Sequence, residues 1–198
     1  MDWKTQDTKV SMNNEIIVAI SGASGVQYGI RLLEALKKMK GVKTHLVLSD
    51  SAKKLIEIET DYSVKDIEKL ADHVYGDDDF TAPIASGSHR SKGMIVAPCS
   101  MKTLSSIAVG MSDTLISRAA DVCLKEKRPL VLMVRETPLN LIHIENMERA
   151  ARAGASILPA SPAFYPKPES IDDIIDFMAG RALDLLGIEH TLYKRWRE

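Results

Sequence analysis

One stretch constrains this chain more than any other, a run of apolar residues that breaks into small ones. Ile16 to Ile20 reads Ile-Ile-Val-Ala-Ile, and Ser21-Gly22-Ala23-Ser24-Gly25 follows. Five consecutive apolar residues suit a strand buried on both faces. Gln27 to Met39 then shows helical periodicity. A buried strand that turns through glycine and serine into a helix belongs to a parallel α/β sheet. It also leaves backbone N–H groups without partners at the positive end of the helix dipole, where a nucleotide or flavin phosphate fits. The spacing is neither G-x-G-x-x-G nor G-x-x-x-x-G-K-S/T, so neither dinucleotide nor P-loop chemistry follows. Taken alone, such a turn also serves as a plain tight connection.

The rest of the chain repeats the alternation. Strands are expected at Thr44 to Leu48, Met94 to Ala97 (stopped by Pro98), Leu130 to Val134 and Ser156 to Leu158. Helical patterns cover Ser51 to Thr60, Val64 to His73, Thr103 to Val109, Thr114 to Glu126, Leu141 to Ala153 and Ile171 to Leu186. A loop rich in Asp, Ser and Gly spans Gly76 to Lys92. The order predicts a parallel sheet with helices on both faces, a three-layer α/β/α domain over residues 15–198. The polar start, residues 1–14, reads as a loose tail and has no apolar core of a signal peptide. Ligands of such sheets sit at the carboxyl ends of the strands. Those ends are followed here by Ser21 to Ser24, Ser49-Asp50, Pro98-Cys99-Ser100, Arg135-Glu136 and Pro159-Ala160-Ser161.

Composition narrows the function. A net charge of −1 gives no reason to expect nucleic acid, and no apolar run approaches a membrane span. Two cysteines make no disulfide framework and suit a cytoplasmic protein. The five histidines show no ligand spacing in the sequence, which argues against a metal site built by the protein.

Among candidate residues, Ser100 and Thr103 are spaced as a helix N-cap and its N3 partner, and equally as donors to a phosphate or ring carbonyl. Arg135-Glu136 directly follows a wholly apolar strand. Its arginine suits a phosphate and its glutamate a proton transfer, though adjacent charges also form surface pairs. Arg118 and Lys125 share a helix face with Asp121 between them, which reads first as a solvated salt-bridge ladder. Cys99 has no adjacent base and is not a candidate nucleophile. Glu59 ends a helix without distinction.

Together these segments resemble the UbiX family, the flavin prenyltransferases. The resemblance rests on Ser21-Gly22-Ala23-Ser24-Gly25 with Tyr28-Gly29, on Ser86-Gly87-Ser88, and on Pro98-Cys99-Ser100 with Lys102-Thr103-Leu104. It continues through Arg118-Ala119-Ala120-Asp121-Val122, Leu124-Lys125-Glu126, Arg128-Pro129-Leu130-Val131, Arg135-Glu136-Thr137-Pro138, Ala163-Phe164-Tyr165 and Arg181. These run in family order from about residue 15 onward. The resemblance implies a flavodoxin-like (Rossmann-like) sheet and a homo-dodecamer with FMN at subunit interfaces. It implies transfer of a dimethylallyl unit from dimethylallyl phosphate to N5 and C6 of reduced FMN, without metal. The prenylated FMN would serve a UbiD-type decarboxylase.

Carried over by position, Gly22, Ala23, Ser24, Ser49, Ser100, Met101, Lys102, Thr103 and Arg135 match the flavin contacts. Tyr165 and Arg181 match the dimethylallyl phosphate ligands, with Lys125, Arg118 and Ser86 completing that pocket. Ser24, Glu59, Glu136 and Lys125 match the catalytic set. Two other readings compete. Flavin-dependent cysteine decarboxylases share the fold, but here the comparable loop reads Ser86-Gly87-Ser88-His89 and no Met- and Asn-rich clamp appears. A non-catalytic flavin carrier would leave Lys125, Glu136, Tyr165 and Arg181 without a task.

Overall fold

A computed structural model of the chain describes residues 14–197. The expected tail therefore lies outside the described residues, apart from Asn14. The strands are β1 (Glu15–Ile20), β2 (Lys43–Leu48), β3 (His73–Gly76), β4 (Gly93–Cys99), β5 (Leu130–Val134) and β6 (Ser156–Ile157). They form one sheet in the order 3-2-1-4-5-6, with every neighbouring pair parallel. The α-helices are α1 (Val26–Lys37), α2 (Asp50–Glu59), α3 (Val64–Glu68), α4 (Met101–Ala108), α5 (Leu115–Lys125), α6 (Leu141–Arg152) and α7 (Ile171–Leu185).

The apolar runs explain the layering. Successive side chains of a strand point to opposite faces. In β1, Ile16, Val18 and Ile20 enter a core shared with α1, α2, α3 and α7, while Ile17 and Ala19 enter a second core against α4, α5 and α6. β5 divides likewise, Val131 and Met133 to the first core and Leu130, Leu132 and Val134 to the second. All five β1 residues from Ile16 to Ile20 are buried, and each large one contributes about 1.5–3 kcal/mol. A polar side chain on either face would lose that and carry a desolvation cost as well. Gly29 lets α1 lie close on the sheet: a Cβ there would stand 2.3 Å from the Ala97 carbonyl oxygen.

Two expectations need correction. The helix expected over Val64 to His73 stops at Glu68, and His73–Gly76 is instead an edge strand paired with β2 from His45↔His73 to Leu48↔Gly76. Four residues of mixed polarity are too short for a periodicity to register. The five expected strands alone would give the flavodoxin order 2-1-3-4-5, and the extra edge strand turns this into 3-2-1-4-5-6. The second correction concerns Pro98, which does not stop its strand. β4 runs on to Cys99, and its register with β5 shifts between Val96 and Cys99. Such an irregularity is where a strand tolerates a residue with no N–H to donate.

Strand order reverses between β1 and β4, so the chain leaves these two neighbours in opposite directions around the sheet. That opens a crevice above their carboxyl ends.

Candidate functional site

Ser21 closes β1 and is fully buried. Its hydroxyl donates to the Pro98 carbonyl at 2.9 Å and accepts from the Ser100 N–H at 2.8 Å. One side chain thus ties the end of β1 to the end of β4. Ser21 is absent from the expected site residues, although it stands in the motif. Gly22-Ala23-Ser24 then turns the chain, and Gly25 takes the left-handed conformation (φ 98°) that only glycine adopts without strain.

The first α1 amides are not left without partners. Gly25 N–H donates to Glu59 Oε2 at 2.8 Å and Val26 N–H to the same oxygen at 3.4 Å. Gln27 Nε2 donates to the Glu59 carbonyl. A carboxylate from the end of α2 therefore occupies the anion position that the sequence offered to a phosphate. A negative group does sit at the positive end of α1, as the helix dipole favours. The occupant differs, because the separation of 34 positions from Gly25 to Glu59 conceals the pairing.

Two other helix starts face the crevice. Ser49 caps α2 and accepts from Ala52 N–H at 3.1 Å. Ser100 caps α4, accepts from Thr103 N–H at 3.2 Å and donates to the Thr103 hydroxyl at 3.1 Å. Gly22, Ser49, Ser51, Asp77, Ser100 to Thr103 and Glu136 line an open cavity of about 280 Å³, to which Asp113, Thr114 and Ser117 also contribute. Its walls thus come from the ends of β1, β2, β3, β4 and β5. Asp77 and Ser117 are further site residues that sequence reasoning missed. Thr114 and Ser117 form a capping box at α5, a signal that was readable, and Asp77 accepts from Ile116 N–H at 2.9 Å. Burial raises the Asp77 carboxyl, only partly offset by that bond. A larger groove of about 790 Å³ lies between α1 and the C-terminal segment, lined by Arg31, Asp176, His190 and Arg195. It touches no strand end, and its volume alone does not make it the site.

Arg135 and Glu136 do not pair with each other. Arg135 Nε donates to the Ser24 carbonyl at 3.0 Å, clasping the β1 turn. Tyr28 lies near enough for the arginine to lower its hydroxyl pKa, although burial outweighs that and raises it. Glu136 accepts from Thr137 N–H at 2.9 Å and stays exposed in the cavity wall. Cys99 is fully buried, which pushes its thiol up to about 12 and rules it out as a nucleophile.

The remaining expected residues form two groups away from this cavity. Arg118 Nε donates to the Ala85 carbonyl at 3.0 Å and pairs with Asp121 at 3.0 Å. Lys125 pairs with Glu126 rather than Asp121, so the expected ladder is only half built. Gly87 lies against this pair, and a Cβ there would come 2.6 Å from Lys125 Nζ. Ser86, hydrogen-bonded to Ser88 at 2.9 Å, belongs to the same corner. Tyr165 stacks edge-on against Phe177 and Trp196. Arg181 joins Asp184 at 3.1 Å, and Tyr193, Arg195 and His190 converge on the same carboxylate. Phe177 touches both Tyr165 and Tyr193, so this third group is linked through rings.

Comparison with known proteins adds to this geometry. The flavoprotein family model matches residues 4–183. The flavin prenyltransferase UbiX of Methanocaldococcus jannaschii is 53% identical over 182 residues, covering 92% of this chain and 98% of that protein. The UbiX of Halalkalibacterium halodurans is 52% identical, covering 91% of this chain and 92% of that protein. The crystal structure of AnUbiX (PadA1) with FMN and dimethylallyl pyrophosphate superposes with a TM-score of 0.91 at 50% identity, over 94% of this chain and 98% of the other. A dodecameric FMN-dependent UbiX-like decarboxylase from Escherichia coli O157:H7 also reaches 0.91 at 50% identity, over 93% of this chain and 100% of the other.

Proposed function

This chain belongs to the UbiX flavin prenyltransferase family, a transferase acting on FMN, and from that premise we propose which of its residues do the work. The observation that carries the reading is the cavity where Gly22, Ser49, Ser100 to Thr103 and Glu136 converge from separate strand ends. Two helix N-termini, several hydroxyls and Lys102 are donors suited to a ribityl phosphate. FMN is held there by Gly22, Ala23, Ser24, Ser49, Ser100, Met101, Lys102 and Thr103. Arg135 fastens the turn to β5 and faces the flavin. Because Glu59 fills the start of α1, the α2 and α4 starts are the phosphate donors and Glu59 holds the turn in shape.

Reduced FMN supplies the nucleophilic N5 and C6 that take up the C5 unit. The C–O bond of dimethylallyl phosphate breaks as the N5 bond forms, and phosphate leaves with the electron pair. The C6 bond forms at the far end of the C5 unit as its double bond opens by taking up a proton, and C6 gives up its own hydrogen as a proton. Lys125, Arg118 and Arg181 with the Tyr165 hydroxyl stabilise that anion, as fixed donors do at developing charge. Ser86 supports the Lys125 corner. Ser24 and Glu136 take the proton that N5 gives up.

Lys125 and Arg181 lie in separate groups within one chain, so the donor pocket closes between copies. The apolar side chains Leu141, Ile142 and Ile144 of α6 are 67%, 64% and 51% exposed, which supports a covering partner. We assign a homo-dodecamer on this basis and on the assembly of the E. coli relative. The product goes to a UbiD-type decarboxylase. Two unpaired, buried cysteines agree with the cytoplasm, and no helix among the described residues is long and apolar enough to cross a membrane.

Anaerobic incubation with reduced FMN and dimethylallyl phosphate tests the reading. The flavin recovered should be heavier by one C5 unit and should restore an apo UbiD-type enzyme. A flavin of unchanged mass would overturn it. Replacing the donor by the pyrophosphate identifies which ester the pocket takes. Light scattering should return twelve chains, and a monomer at micromolar protein would remove the shared pocket.

A further inference from the structure

Three of the five histidines, scattered in sequence, meet in space. His45 stacks on His73 with ring centroids 4.7 Å apart, and His89 meets His45 edge-on at 5.0 Å. Glu15 opens β1, His45 lies in β2 beside Ile17, and His89 lies in the loop that leads into β4. The amino ends of the strands meet here, opposite the flavin crevice. Glu15 Oε2 stands 3.0 Å from His45 Nε2 and 3.3 Å from His89 Nε2. One ligand atom from each of the three residues lies within 4.8 Å of the others.

From this juxtaposition we infer that Glu15, His45 and His89 form a binding site for a divalent ion of the zinc class. Zinc takes imidazole nitrogen and carboxylate oxygen at about 2.0–2.2 Å, which sets neighbouring tetrahedral ligands about 3.3 Å apart. The two carboxylate–imidazole separations already match that spacing. Three protein ligands leave a fourth position for water. His45 is 3% exposed, and its Nδ1 meets the Tyr75 hydroxyl at 3.0 Å, the kind of second contact that orients a ligating imidazole. His89 Nε2 is screened from solvent and, although it stands 3.3 Å from Glu15 Oε2, makes no hydrogen bond among the described residues. An ion between them would satisfy it. His89 sits on a loop and is partly exposed, so its ring is the member free to close the set.

The ion would act as a clip. Lys92 N–H donates to the Glu15 carbonyl at 2.7 Å, and Arg128 donates to the carbonyls of His89 and Gly87 at 2.6 and 2.7 Å. The loop is gripped on the α5 side by Arg128 and would be gripped on the sheet side by the ion. Its Ser86-Gly87 corner rests against Lys125, so the clip would set the position of that lysine's surroundings from the far end of the sheet.

Untagged protein, stripped with a chelator, is titrated with Zn²⁺ by calorimetry and with Co²⁺ by visible absorption. One ion per chain should bind, with the intense bands of a four-coordinate Co²⁺ centre and a rise in melting temperature. His89→Gln, on the loop, should weaken binding roughly a hundredfold and abolish those bands, as loss of one of three protein ligands requires. Glu15→Gln should do the same, while His143→Gln, on α6 and outside this cluster, should bind as wild type. Absence of stoichiometric binding overturns the site, and so does equal uptake by wild type and His89→Gln. In that second case the ion would lie elsewhere, and in the first the three groups would form a polar cluster only.

Discussion

Replacing Asp184 by asparagine removes the charge on which the C-terminal segment converges. Tyr193 Oη donates to this carboxylate at 2.6 Å, Arg195 Nη2 at 2.7 Å and Arg181 Nη1 at 3.1 Å, with His190 Nε2 also at 3.1 Å. Burial alone would raise its pKa, but the bonds from Arg195 and Tyr193 outweigh burial and hold it at about 2, below the ordinary 3.8. The folded value lies below the unfolded one. The stabilisation is therefore complete above about pH 5 and is lost as pH falls through the folded value. A gap of this size corresponds to roughly 2 kcal/mol at neutral pH, of which about half remains at pH 3. Arg181 and Arg195 are 43% and 41% exposed and can turn to solvent, so the cost stays below the 3–5 kcal/mol of a fully buried pair. For a chain of this length, Asp184→Asn should melt about 4–8 °C below wild type at pH 7. Thermal melts at pH 7, 5 and 3 should show the difference persisting at pH 5 and narrowing by pH 3. Arg181 also loses its orienting partner, so the KM for the prenyl donor should rise while FMN affinity holds. An unchanged melting temperature, or a difference indifferent to pH, would refute this reasoning and reduce the hub to a surface ion cluster worth about 0–1 kcal/mol.

Other perturbations report on separate parts of the site. Glu59→Ala uncaps α1 and should cost about 1 kcal/mol in urea melts, while Glu59→Gln keeps an acceptor and should cost less; equal stability of all three forms would remove its structural role. Ser21→Ala strands the Ser100 N–H, while the Pro98 carbonyl keeps the Ser21 backbone N–H at 3.2 Å. It should destabilise by roughly 1–3 kcal/mol and weaken FMN binding, whereas a variant within 1 °C of wild type, about the scatter of such melts, would contradict the link between β1 and β4. Arg181→Ala and Tyr165→Phe should each slow prenyl transfer about a hundredfold or more in single turnovers with FMN affinity near normal. Arg181→Lys should recover only part of that rate, because an ammonium lacks the two-pronged contact with phosphate. Near-normal turnover in either of the first two would remove them from the donor pocket.

What the sequence by itself determined is local. The apolar runs of β1 and β5, the helix periodicities and the cap at Ser100 are decided by neighbours within one turn or one pleat, and each was legible. So was the ring of small and polar residues after the strands, because a parallel sheet aligns all its carboxyl ends. The flavin identity came from motif resemblance, since no rule of periodicity names FMN. The tertiary structure alone decided which distant groups meet. Sheet register set His45 beside His73 and left Glu15 within reach of His89, and the packing of α2 on α1 brought Glu59 to the Gly25 amide. It also made an edge strand of His73–Gly76, whose mixed polarity suits a half-exposed position and carries no periodic signal. Backbone preference acts over three or four residues, whereas these contacts span about 28 to 74 and depend on the whole sheet being assembled.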